Sequence, residues 1–114
     1  MQKVGLMTGL IVLISVSLAT GADLTFTEAN NFTENGSFIV LGFVKNTSTY
    51  TMKDITITIR YYDKDGKFLR FATTPTNPST LNPGEEASYK VAIPENKQIA
   101  SIKKTARWAV QGGE

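Results

Sequence analysis

The sequence predicts an all-β domain, an antiparallel sandwich of about seven strands, behind a separate apolar N-terminal segment. Three observations predict it. Apolar residues recur with a period of two rather than 3.6. Turn dipeptides interrupt them about every ten residues. Nothing after the first segment calls for a long helix, and the chain of 114 residues is one domain's worth.

The N-terminal segment comes first. Met1-Gln2-Lys3 supplies a positive charge, residues 4–19 are almost wholly apolar, and the small residues Ala19-Thr20-Gly21-Ala22 follow. That is the order of a secretory signal peptide. The apolar run is short for a spanning helix, which needs about twenty residues. Residues 1–22 are therefore expected to be a signal peptide or an uncleaved anchor through residues 4–19, leaving residues 23–114 as the domain, and membrane contact is expected only through that uncleaved segment. Either outcome places the domain outside the cytoplasm, secreted or at the cell surface. The chain has no cysteine, so a lipid-anchored lipoprotein and a disulfide framework are both excluded, and packing alone must hold the fold.

The strands then follow in order. Residues 38–44, FIVLGFV, are apolar on both faces. A central strand covered on both sides has this pattern, and so does a strand whose outer face, here Leu41 and Phe43, meets a partner. Gly42 inside it marks a bulge or a close approach by another segment. Residues 54–61 alternate strictly, with Ile55, Ile57, Ile59 and Tyr61 on one face and Thr56, Thr58 and Arg60 on the other. Residues 87–93 do the same, with Ala87, Tyr89, Val91 and Ile93 inward. In residues 102–110, Ala106, Trp108 and Val110 share a face. Asn35-Gly36, Asp65-Gly66, Asn77-Pro78 and Asn82-Pro83-Gly84 supply the turns.

The stretch YYDKDG at 61–66 admits two readings, a calcium loop or a corner. A calcium loop opening at Asp63 needs oxygen ligands at alternate positions and a Glu at the twelfth. The twelfth residue is Thr74, and Lys67, Phe68, Leu69 and Arg70 lie between. A short hairpin is satisfied instead, because Asp accepts from backbone N–H groups two residues on and Gly66 takes positive φ without steric cost. The corner is the better reading, and no metal is expected.

Composition narrows function. Twelve Lys and Arg stand against ten Asp and Glu, for a net charge of +2. The densest basic cluster, Lys103, Lys104 and Arg107, is expected to be a solvated strand face, so no nucleic-acid partner is expected. Histidine and cysteine are both absent, which removes the commonest general base and the commonest thiol nucleophile. Glu85-Glu86, an adjacent acidic pair, would point apart on a strand. No enzyme and no cofactor are expected.

Val40-x-Gly42-x-Val44-x-Asn46, Ile59-x-Tyr61-Tyr62-Asp63 with Gly66, Leu81-x-Pro83-Gly84-Glu85 and Tyr89-x-Val91 occur in that order. Together, over about residues 37–110, they resemble the FxLYD domain, an immunoglobulin-like β-sandwich module of exported prokaryotic proteins. Ile59 stands where that motif has Phe and Tyr61 where it has Leu, both still apolar bodies. The resemblance implies an immunoglobulin-like sandwich and an Asn46 side chain that bonds the turn backbone. It brings no shared catalytic or ligand-binding residue.

The expected function is a non-catalytic envelope module that engages a protein or surface polymer. Two alternatives stay open. One is a pilin-like subunit that keeps its N-terminal helix for filament assembly, although Lys3-Val4-Gly5 is a poor processing site. The other is a glycan-binding module that stacks sugars on Tyr50, Tyr62 or Trp108, with a core role favoured for Trp108. Three sequons, at Asn31, Asn35 and Asn46, are candidate N-glycosylation sites. Asn31 and Asn35 are preferred, because Asn46 has a structural use.

Overall fold

The computed structural model describes residues 23–111, and every regular element over them is a β-strand. The expected signal or anchor falls on residues 1–22 and lies outside the described residues. Six strands form, β1 (Leu24–Glu34), β2 (Ser37–Asn46), β3 (Met52–Tyr62), β4 (Phe68–Pro75), β5 (Glu86–Pro94) and β6 (Ser101–Val110). The expectation of about seven overcounts. Residues 76–85 carry Pro78 and Pro83, which cannot donate to a ladder, and this segment makes only isolated bridges.

The strands make two antiparallel three-stranded sheets, ordered β1-β2-β5 and β4-β3-β6. β2 and β3 are the central strands, and β4 and β5 adjoin one another across the layers. The alternation seen in the sequence holds. Ile55, Ile57, Ile59 and Tyr61 of β3 and Ala87, Tyr89, Val91 and Ile93 of β5 are all buried. With Val40, Val44, Met52, Leu81 and Ile102 they form one core. Val110 does not join it. It pairs with Met52 at the very end of β6 and stays 51% exposed, while Ala106 and Trp108 pack against the core from its margin.

The turns follow their residue chemistry. Asn35 and Gly36 have φ of 51° and 81°, as a two-residue type I′ hairpin requires, and they join β1 to β2. At the β3–β4 corner the Asp63 Oδ1 accepts from the N–H of Asp65 (2.9 Å) and of Lys67 (2.8 Å), and the Gly66 N–H donates to the Asp63 carbonyl (2.9 Å). The stretch is a corner.

Residues 76–81 tie the two sheets together by isolated bonds. The Thr76 N–H donates to the Ile55 carbonyl, the Ile55 N–H to that of Ser79, and Leu81 and Met52 exchange both bonds. On the other side Asn77 exchanges two backbone bonds with Ser88 of β5, at 2.8 and 3.0 Å. One short segment is thus hydrogen-bonded to β3 of one layer and β5 of the other.

Candidate binding faces

The outer face of the β1-β2-β5 sheet is apolar along its centre. Phe32 lies opposite Ile39, Asn30 opposite Leu41 and Glu28 opposite Phe43, and Ala92, Lys90 and Ser88 complete the rows on β5. Phe43 is 40% exposed, Phe32 37% and Leu41 partly buried. Beside Leu41 and Phe43 lies an open cleft of about 460 Å³ whose walls include Thr74, Pro75, Asn77 and Lys90. β1 reaches this arrangement through a bulge between Phe26 and Glu28. Leu24 and Phe26 face inward before it, and Glu28, Asn30 and Phe32 face outward after it. The bulge presses the Glu28 backbone oxygen against Gly42, where a Cβ would collide with it and lie 2.7 Å from the Tyr89 hydroxyl. Gly42 therefore marks both features that its position in the sequence suggested, a bulge and a close approach.

The outer face of the β4-β3-β6 sheet is different in kind. Its rows are Phe68–Tyr62–Ser101, Phe71–Arg60–Lys103, Thr73–Thr58–Thr105 and Pro75–Thr56–Arg107. Phe68 and Phe71 are three residues apart and would point to opposite faces of a regular strand. The irregularity between Tyr61 and Tyr62 leaves Leu69 without its own partner and brings both rings to the same side. Phe68 is 49% and Phe71 58% exposed. The Lys103 ammonium lies 5.9 Å from the centre of the Tyr62 ring, and Phe68 meets that ring edge-on at 5.9 Å. Arg60 donates to the Thr105 hydroxyl at 3.4 Å. No Asp or Glu occurs in any of these rows.

The interior holds what sequence reasoning missed. Lys104 is not part of a solvated strand face, because it shares its parity with Ile102 and Ala106 and is 3% exposed. Its Nζ donates to the Tyr89 hydroxyl at 3.2 Å and lies 5.5 Å from the centre of the Phe26 ring and 5.9 Å from that of Tyr89. Burial lowers the ammonium to about 8, below its ordinary 10.5, and pushes the Tyr89 phenol up. The rings accept the charge on their faces and recover part of the lost hydration. Lys103 and Arg107, of the other parity, are solvated as expected.

The remaining candidates separate cleanly. Asn46 is fully buried, and its Nδ2 donates to the carbonyls of Tyr50 (2.8 Å) and Leu81 (2.9 Å). Its Oδ1 accepts from the N–H and the hydroxyl of Ser48. The amide that a glycan would need is thus fully engaged. Asn35 is exposed in the hairpin turn, and Asn31 is partly buried on β1. Of the three aromatic residues considered for sugars, Tyr50 donates to Asp23 at 2.6 Å, and that carboxylate raises the phenol above its ordinary value, with burial second. Trp108 packs on the core margin, and Tyr62 sits at the far end of β3 from Tyr50. They do not form one platform.

The described residues define a small two-layer β domain. In fold it is similar to a DUF1425 family member from Shewanella sp. pv-4, with a TM-score of 0.55 and 13% identity over 90% of this chain and 97% of that one. A weaker likeness, TM-score 0.47 and 16% identity over 72% of this chain and 83% of the other, is to Campylobacter jejuni cj0090. No family model matches the chain, and no curated protein does.

Proposed function

We propose that this chain is a non-catalytic module of the cell envelope that binds a protein partner through the outer face of the β1-β2-β5 sheet. The observation that carries the reading is the stripe of Phe32, Ile39, Leu41 and Phe43, with two exposed phenyl rings of which Phe43 lines an open cleft. A protein surface fits an apolar centre with a rim of Glu28, Asn30 and Lys90. The FxLYD resemblance is part of the same proposal. Asn46 bonding its turn supports it, as do the inward Tyr61, the Asp63 corner and sheet orders of the immunoglobulin-like kind.

The test is a photo-reactive residue placed at Phe43 in the native cell. A single defined adduct is expected, lost in a Leu41→Ser background. The same adduct formed from Thr58, on the opposite face, would sink the assignment of the face. The location has its own test, the first residue of the native chain. A start at Ala22 or Asp23 supports export with cleavage and an intact Met1 supports an anchor, whereas a start at Gly5 or Leu6 would replace the proposal with a filament subunit.

A further inference from the structure

We infer that the outer face of the β4-β3-β6 sheet is a second binding surface and that its partner is an anionic lipid bilayer. Arg60 and Lys103 share one row of the sheet and Arg107 stands two rows further on, no acid occurs in the rows between and including them, and among the described residues no ion pair holds any of the three. Lys64 and Lys67 extend the positive field to the β3–β4 corner. The acids bordering it are the exposed Asp54, at the start of β3 before the Thr56 row, Asp63, whose Oδ1 is already taken by two backbone N–H groups, and the exposed Asp65, fewer than the five cations. A face of one sign attracts a partner of the other within about a Debye length.

Charge alone leaves the class of polyanion open, and the aromatic residues decide it. Phe68 and Phe71 are about half exposed at the margin of the face, on an edge strand, and carry no polar atom. A sugar or base held by these cations would stack on the ring beside them, Tyr62, and that ring is already met by the Lys103 ammonium and the edge of Phe68. A bilayer interface satisfies both components, because phenyl rings enter the headgroup–acyl boundary while guanidinium and ammonium groups meet lipid phosphates. The β-bulge at Leu69 is what places the two rings on the charged side. This surface is opposite the one proposed for a protein partner and stands independently of it.

The test uses the full chain on vesicles of phosphatidylcholine against vesicles in which a third of the lipid is phosphatidylglycerol. The apolar run at residues 4–19 is expected to favour neither kind, so the readout is the ratio of the two affinities. The anionic vesicles should win by at least about tenfold, since each basic residue near such a surface contributes a few-fold, and the ratio should shrink in high salt. Arg60→Glu with Lys103→Glu should bring it close to one. Phe68→Ser with Phe71→Ser should weaken binding to the anionic vesicles about tenfold, while Phe43→Ser on the other sheet changes nothing. A ratio near one in the parent chain would overturn the proposal. So would full binding by the Phe68→Ser/Phe71→Ser variant, which would leave a face for polyanions in general.

Discussion

Asn46 and Lys104 are both polar, both buried and both inward-facing, yet the fold treats them in opposite ways. Asn46 sits where β2 ends, and four hydrogen bonds use both donors and the oxygen of its amide. Lys104 sits among Phe26 and Tyr89 with one hydrogen bond and two ring faces for a full charge. The first arrangement meets the cost of burial with matched groups, and the second leaves much of it in place. A polar residue in the core is therefore stabilising or destabilising according to its partners, and the two sites predict opposite signs.

The largest effect is expected at Asn46. Asn46→Ala should destabilise the fold by about 4 kcal/mol, four hydrogen bonds at about 1 kcal/mol each. Chemical denaturation measures it, and a loss under about 1 kcal/mol would mean that water replaces the side chain and that the contrast with Lys104 is false.

Lys104 should show its cost through pH. Between about 8 and the ordinary 10.5 the unfolded chain keeps a proton on this lysine that the folded chain has released. Stability should therefore be lowest below pH 8 and rise above it, by about 2 kcal/mol near pH 10. Beyond that the curve should turn down. Burial holds Tyr89 up and Tyr61 at about 12, so both stay protonated in the fold while the unfolded chain ionises them. Lys104→Met should remove the rise and stabilise the fold at pH 7 by about 2 kcal/mol. A flat profile in the parent chain would show that the rings and hydroxyl compensate the charge in full.

The smallest effect sharpens the rule. Tyr61 is fully buried, and among the described residues its hydroxyl has no hydrogen-bond partner. Tyr61→Phe should therefore stabilise the fold by about 1 kcal/mol, measured by thermal denaturation. A loss of similar size would reveal a partner for that oxygen, such as a bound water.

Much of the fold was legible because it depends on a period of two. β3 and β5 alternate over their whole length, and Asn35-Gly36 and Asp63–Gly66 close hairpins by their own chemistry. What escaped lies where that period breaks. β1 changes its inward parity at Thr27, so its sequence, LTFTEANNFTE, shows no single face. Phe68 and Phe71 look like residues of opposite faces until the bulge at Leu69 is known. Lys104 obeys parity but not polarity, and its charge suggested solvent where its position required the core. The Leu41 and Phe43 face was legible from apolarity alone, whereas the basic face depends on cross-strand register, which the sequence does not carry.

The segment at residues 76–81 has a mechanical consequence. Two sheets joined only by side chains can slide over one another under load, since dispersion contacts are individually weak and non-directional. Here backbone hydrogen bonds run from Asn77 to Ser88 in one layer and from Thr76, Ser79 and Leu81 to Ile55 and Met52 in the other. Shear between the layers has to rupture these bonds together rather than one after another. A chain pulled between its N-terminal end and a bound surface would thus meet its greatest resistance at this loop, and it should yield by peeling strands from the open edges first.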